Sequence, residues 1–393
     1  MEKSKTFCVM PHIGMQIQHN GRLSVCNNNN LEFTNQTGHL IQVHKDKLQE
    51  SWNTFERQDV KKSLDAGVPH YACHDCFDKE SGNLKSQRML LNEFFETVEP
   101  SETQPKVLII KPGNVCNLAC RMCSPEASSS WYSDAYKLSV KNKTFTGSYY
   151  DYAKTFSNER DGFHTNNKDF WQTLKEWIPN LTFMDIYGGE PFLSIGLFES
   201  LTDAADKGLS SNTSLQLSTN LTIYNEKYLN TLLKYKHVTI KVSIDSHNPS
   251  QLNYIRYPCD PHQILENLKK FQKFFAGHDN IFIDITLTVT PLNIFYLDEI
   301  TKELSKYSPI QDYNTVHVPA KYDIRILPNH IKSKIIEKIK IKKLDNYFRQ
   351  EVDPSGNIFR NFIQETKDLD NFRNQDFKLV FPEFYELIKD YFE

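Results

Sequence analysis

The stretch VLIIKPGNVCNLACRMC, residues 107–123, decides how this chain reads. Val107 to Ile110 make a short apolar run suited to a buried strand, and Pro112-Gly113 ends it. Cys116, Cys120 and Cys123 then come at C-x3-C-x2-C spacing. Three thiolates on one loop can hold three irons of a 4Fe–4S cube and leave the fourth iron open to a small molecule. Structural zinc asks for four closed ligands, and no histidine lies beside this trio.

Working outward, residues after 106 alternate short apolar strands with amphipathic helices. The strands expected are Val107–Ile110, Phe183–Tyr187, Ser214–Ser218, Val238–Ile244, Ile281–Val289 and roughly Thr315–Val318, with helical patterns such as 265–275 between them. Six strands alternating with helices predict an α/β fold around a parallel sheet, open or curled into a partial barrel. Residues 132–167 interrupt the order with a Tyr-, Ser- and Asn-rich stretch of weak periodicity. Beyond 328 the pattern is mostly helical, including a Lys-rich amphipathic stretch at 331–344 with Ile335, Ile336 and Ile339 inward; such faces are mostly solvated.

Four more cysteines stand upstream. Asn20-Gly21 between alternating segments predicts a hairpin, with Cys8 and Cys26 near its outer ends. Residues 45–66 read as helical, with Leu48, Trp52 and Phe55 on one face, and Cys73 and Cys76 come next at C-x2-C spacing. Four closed thiolates suit structural zinc or a fully ligated iron–sulfur cluster, and spacing alone favours zinc. Residues 1–95 read as one small metal-stapled unit, 106–330 as the α/β domain and 331–393 as a helical extension. The last cysteine, Cys259, reads as a small buried hydrophobe, and His317 as a rim histidine.

The cysteine loop and the strand ends after it resemble the radical S-adenosylmethionine (SAM) superfamily, whose signature is C-x3-C-x2-C after the first strand of a partial (β/α)6 barrel. Met122 departs from the aromatic residue that many members carry there. Tyr187-Gly188-Gly189-Glu190-Pro191 resembles the GGE motif that grips the SAM amino group; taken alone it is an ordinary strand-to-helix turn. Ser218 and Asn220 stand at a position similar to the ribose-facing one. Ser243, Asp245 and Arg256 resemble the residues that contact the methionyl carboxylate or ribose, although Asp245 also reads as a strand-end turn residue. Val289 is placed beside adenine. The segments around Cys8, Cys26, Cys73 and Cys76 resemble the SPASM/twitch auxiliary-cluster module, set here before the barrel instead of after it. That resemblance shifts the expectation from zinc to a second 4Fe–4S cluster.

The resemblance implies reductive cleavage of SAM to a 5′-deoxyadenosyl radical that abstracts hydrogen from a substrate, with an electron donor such as flavodoxin or ferredoxin. A peptide or protein substrate is expected first, a nucleotide or sugar second. It covers about 7–95 and 106–330 and leaves 131–180 and the last 60 or so residues unexplained. A zinc-stapled noncatalytic binding protein is the rival of another class; the ordered run of Cys116–Cys123, Gly188–Pro191, Ser243 and Arg256 opposes it.

Composition sets outer bounds. The 393 residues carry 46 Lys plus Arg against 49 Asp plus Glu, a net charge of −3 that excludes a chain-wide electrostatic hold on nucleic acid. No apolar run reaches the roughly 18 residues of a membrane helix. Residues 1–20 carry no uninterrupted apolar signal segment, so a cytoplasmic setting is expected.

Overall fold

The computed structural model describes residues 3–29, 31–43, 45–81, 85–141, 167–310, 313–340 and 344–393. Its centre is one eight-stranded sheet: β1 (Gly14–Ile17), β2 (Leu23–Ser24), β3 (Val107–Ile110), β4 (Phe183–Ile186), β5 (Ser214–Thr219), β6 (His237–Ser243), β7 (Ile281–Val289) and β8 (Tyr313–Thr315). The spatial order is β2-β1-β3-β4-β5-β6-β7-β8, and only the β1–β2 pair is antiparallel. The run β3 to β8 with helices between its strands is the partial barrel, and a helical region comes after it.

Strand chemistry explains the layering. On β4, β5 and β6 burial alternates along the chain, so Met184, Ile186, Leu215, Leu217, Val238, Ile240 and Val242 enter the core. Each such aliphatic side chain contributes roughly 2 kcal/mol by leaving water. The intervening residues, Phe183, Asp185, Gln216, Ser218, Lys241 and Ser243, share the opposite, inner face. There the register sets Ile109 beside Asp185 and Asp185 beside Gln216.

The hairpin forms as its Asn-Gly turn predicts, with Gln16 opposite Ser24 and Gly21 at φ 78°. It is not walled off from the barrel, because β1 pairs in parallel with β3, Gly14 beside Val107 and Ile17 beside Ile110. Cys8 also departs from expectation: it precedes a short helix, Met10–Ile13, instead of ending a strand. The expected 45–66 helix is two pieces, a single turn at Leu48–Ser51 and a helix at Phe55–Asp65. The break comes from Thr54, whose side chain accepts from the Arg57 N–H and caps the second piece. Phe55 is consequently exposed, while Val60 and Leu64 are buried.

The last strand lies two residues earlier than expected, at Tyr313–Thr315, because its register matches Leu287–Val289 of β7. Val318 is 88% exposed, outside the strand. The Lys-rich helix spans Asn329–Lys338, with Ile331 and Ile335 buried. Most of the Tyr/Ser/Asn-rich interruption lies outside the described residues; its first part is a helix, Tyr132–Lys141. Among the described residues, no helix is long and apolar enough to cross a membrane.

Candidate functional site

The loop after β3 carries Cys116, Cys120 and Cys123, and its backbone is tied down on several sides. The Ala119 and Arg121 N–H groups donate to the carbonyls of Tyr257 (2.5 Å) and Ile255 (2.8 Å). Carbonyls of Cys116, Leu118 and Cys120 accept from Ser130 Oγ (2.7 Å), Ser128 Oγ (2.5 Å) and Trp131 Nε1 (2.7 Å). Buried loops survive only when their peptide groups are satisfied in this way. The three thiols converge, since each is close enough to feel the charge of the others. Burial pushes the Cys116 thiol up to about 12. Cys120 and Cys123 share a side-chain hydrogen bond that lowers the Cys123 thiol and raises that of Cys120.

The Gly188-Gly189 turn lies against this loop. Gly189 has φ 59°, and a Cβ there would sit 2.6 Å from the Val115 carbonyl oxygen, so only glycine permits the approach. The Glu190 N–H donates to that same carbonyl at 2.8 Å. Glu190 itself is buried and turned inward: its carboxylate accepts from Phe192 N (3.1 Å), Thr219 Oγ1 (2.8 Å) and Asn220 N (2.7 Å). Burial raises its pKa to about 7 against these hydrogen bonds. Its structural work is to join the ends of β4 and β5. Pro191 is buried and opens the next turn.

Asn220 reaches the cysteine loop, with Nδ2 at 3.0 Å from Asn117 Oδ1 and 3.8 Å from Cys116 Sγ. Asp245 is fully buried; its Oδ1 accepts from Thr288 N at 2.9 Å and its Oδ2 lies 2.7 Å from Arg256 Nε. Burial alone would weaken the Arg256 charge, but Asp245 and the thiols hold it firmly protonated. The guanidinium approaches Cys120 Sγ at 4.0 Å, so a buried cation faces the thiols. Ser218 and Ser243 lie part-buried on the inner face, whereas Val289 is fully enclosed in the main core. Cys259 is buried close enough to Cys120 to feel its charge, and His317 is half exposed in a contact with Asp323.

The upstream cysteines also come together. Every pair among Cys8, Cys26, Cys73 and Cys76 interacts electrostatically. Burial pushes the Cys8 thiol up to about 12 and raises those of Cys26 and Cys73. Asn29 Nδ2 donates to Cys73 Sγ at 3.4 Å, and Arg88, paired with Glu80, adds positive charge nearby. All eight cysteines are free thiols.

Among the described residues no set of three His, Cys, Asp or Glu side chains is arranged around a single metal ion. Thiolates of an iron–sulfur cube each bind a different iron, so a cluster does not need that arrangement. The converging thiols, the glycine cradle and the buried guanidinium fit a three-thiolate cluster with an anionic ligand beside it. The upstream quartet brings four thiols into one another's electrostatic reach.

Several residues of this neighbourhood carried no signal in the sequence. Lys111, next after β3, lies 5.4 Å from the Tyr187 ring and is lowered in pKa by burial. Arg121 and Arg373 tie the cysteine loop to the chain's far end, with the guanidinium of Arg373 donating to the Ala119 carbonyl at 2.8 Å.

No curated protein matches the chain. Among solved structures, it is similar to native anSMEcpe with bound AdoMet at 18% identity and a TM-score of 0.38, over 69% of this chain and 62% of that one. It is similar to Streptococcus suis SuiB bound to S-adenosylmethionine at 12% identity and a TM-score of 0.35, over 74% and 58%. The chain thus spans less than two thirds of the length of these structures. The family model described as the Radical SAM superfamily matches residues 110–304, from the last residue of β3 to the helix after β7. That match takes in Cys116, Cys120, Cys123, the Gly188–Pro191 turn and Arg256, and covers just under half of the chain.

Proposed function

We propose that this chain is a radical SAM enzyme with a second, auxiliary 4Fe–4S site, acting on a side chain of a peptide or protein. The observation that carries the reading is the convergence of Cys116, Cys120 and Cys123 under the Gly188-Gly189 turn, with Arg256 buried alongside. When bound there, a 4Fe–4S cluster with one open iron supplies the electron that cleaves SAM and so generates the hydrogen-abstracting radical.

The chain's own residues do the rest. Cys116, Cys120 and Cys123 would hold three irons of that cluster. Arg256, kept charged and oriented by Asp245, offers its positive charge to the carboxylate of SAM. The open backbone of Gly188 and Gly189 accepts from its ammonium group, and Glu190 fixes that turn to Asn220. Cys8, Cys26, Cys73 and Cys76 would hold the auxiliary cluster, which would supply a second redox-active centre.

A side chain finds room on the inner face, toward the Val107 and Phe183 ends of β3 and β4. A cavity of about 580 Å³ lies between the helix Gln87–Phe94 and strands β3 to β5. Phe94, Phe95 and Phe183 form part of its wall, and Asp185 and Gln216 supply its polar groups. Gln216 Nε2 donates to Asp185 at 2.9 Å, which leaves acceptor atoms for an occupant. An apolar chamber with a carboxylate suits an apolar or aromatic side chain with a donor at its tip.

The test is anaerobic reconstitution with iron and sulfide, then electron paramagnetic resonance of the reduced protein with and without SAM. A reduced-cluster signal that changes on adding SAM, and is lost in Cys116→Ala, supports the reading. Bound zinc and no iron signal would establish the noncatalytic alternative.

A further inference from the structure

The helix Asn357–Arg373 lies some 240 residues beyond the cysteine loop in the chain and grips it in space. Arg373 donates through Nη2 to the Ala119 carbonyl at 2.8 Å and through Nε to Asp134 Oδ2 at 2.9 Å. Its guanidinium lies 5.0 Å from the Trp131 ring and 4.6 Å from that of Tyr257. Trp131 in turn holds the Cys120 carbonyl. One helical turn earlier, Asp370 is ion-paired with Arg121, the residue between Cys120 and Met122. Arg121 is fully buried, 3.6 Å from the Tyr254 ring, and Tyr254 OH donates to the same Asp370 oxygen at 2.7 Å. Leu369 packs with Ala119, Trp131 and Leu138 in a small apolar cluster separate from the main core, with Cys123 and Phe372 against it.

Two buried ion pairs focused on a few loop residues are a poor source of stability, since desolvation offsets most of their attraction. Arg121 and Arg373 each even retain one buried nitrogen, Nη1, without a hydrogen-bond partner. What such pairs supply well is a single geometry. We propose that this C-terminal helix is a clamp on the cluster loop, in which Arg373 and Asp370 are positioning residues that keep Cys120 and Cys123 turned toward Cys116. The cluster's role in this inference rests on the function proposed above, whereas the clamping of the loop does not.

The experiment uses the full chain with Asp370→Asn and the conservative Arg373→Lys. On metal-stripped protein, the rate of iodoacetamide labelling is measured at each cysteine by mass spectrometry. On reconstituted protein, bound iron and the reduced-cluster resonance spectrum are recorded. Labelling of Cys120 and Cys123 is expected to rise by about tenfold, the effect of losing one charge-assisted hydrogen bond, while Cys8 and Cys76 keep their rates. Iron held by the loop is expected to fall, and the spectrum of what remains to change. Unchanged labelling at Cys120 and Cys123 in both variants overturns the clamp, as does an equal rise at all eight cysteines. Wild-type protein that binds no iron at the loop overturns the proposed function and the cluster's part in this inference, and leaves the labelling result to decide the clamp.

Discussion

The Asn220 backbone N–H donates to the Glu190 carboxylate at 2.7 Å, while the Asn220 side chain lies 3.8 Å from Cys116 Sγ. The ends of β4 and β5 and the cysteine loop are thereby one hydrogen-bonded unit. Glu190→Ala removes three buried hydrogen bonds and should cost about 3 kcal/mol or more of stability, read by urea denaturation. It should also lower the iron retained after reconstitution. An unchanged midpoint would show that Glu190 does not hold this unit together.

Gly189→Ala tests the close approach. Its Cβ would fall 2.6 Å from a backbone oxygen, and φ 59° adds strain. The substitution should separate the turn from the cysteine loop and abolish SAM binding to the reconstituted protein, measured by equilibrium dialysis. Gly38→Ala, also at positive φ but with nothing within 4 Å of the new Cβ, should cost only about 1 kcal/mol and leave SAM binding intact.

The two cysteine groups should separate by iron count. Wild type should bind about eight irons per chain, and Cys73→Ser about four, with the loop cluster and its SAM-dependent spectrum retained. Cys120→Ser should retain the other four and lose the SAM response. Zinc in place of the iron that Cys73→Ser loses would assign the quartet as structural.

Asp323 predicts a pH dependence remote from either cysteine group. Burial pushes its carboxyl up, but hydrogen bonds from His317 and Arg325 outweigh that and hold it below the usual carboxylate range. A depressed folded-state value means that the stabilisation is complete above the unfolded carboxylate range near 4 and fades as pH falls through the folded value. Asp323→Asn should therefore destabilise by about 2 kcal/mol at pH 7 and by progressively less below pH 4, read from denaturant midpoints. A difference independent of pH would contradict the assignment.

The legible parts of this chain were those fixed by short spacings. Val107–Ile110 and the cysteines after it, the glycine turn after Ile186 and the alternation on β4 to β6 are local patterns, and local geometry produced them. Local capping also explains the helix break, since Thr54 satisfies an N–H that the periodicity of Leu48 and Trp52 ignores. The pairing of β1 with β3 was hidden because parallel register is set across about ninety residues, by contacts that neither segment reveals alone. A still longer separation, 254 residues, hid Arg373: nothing in its helix marks a partner at Ala119. Asp245 shows a third limit. Its position was visible, but only the structure shows the carboxylate committed to Thr288 and Arg256.

Radical chemistry at the cysteine loop is tested most directly by product analysis. Reconstituted, dithionite-reduced protein is incubated with SAM under anaerobic conditions, and 5′-deoxyadenosine is quantified by liquid chromatography and mass spectrometry. Wild type should form 5′-deoxyadenosine, and Cys116→Ala, Cys120→Ala and Cys123→Ala should each form none. Iron-loaded wild type that leaves SAM intact, or a cysteine variant that still cleaves it, would contradict the proposed function.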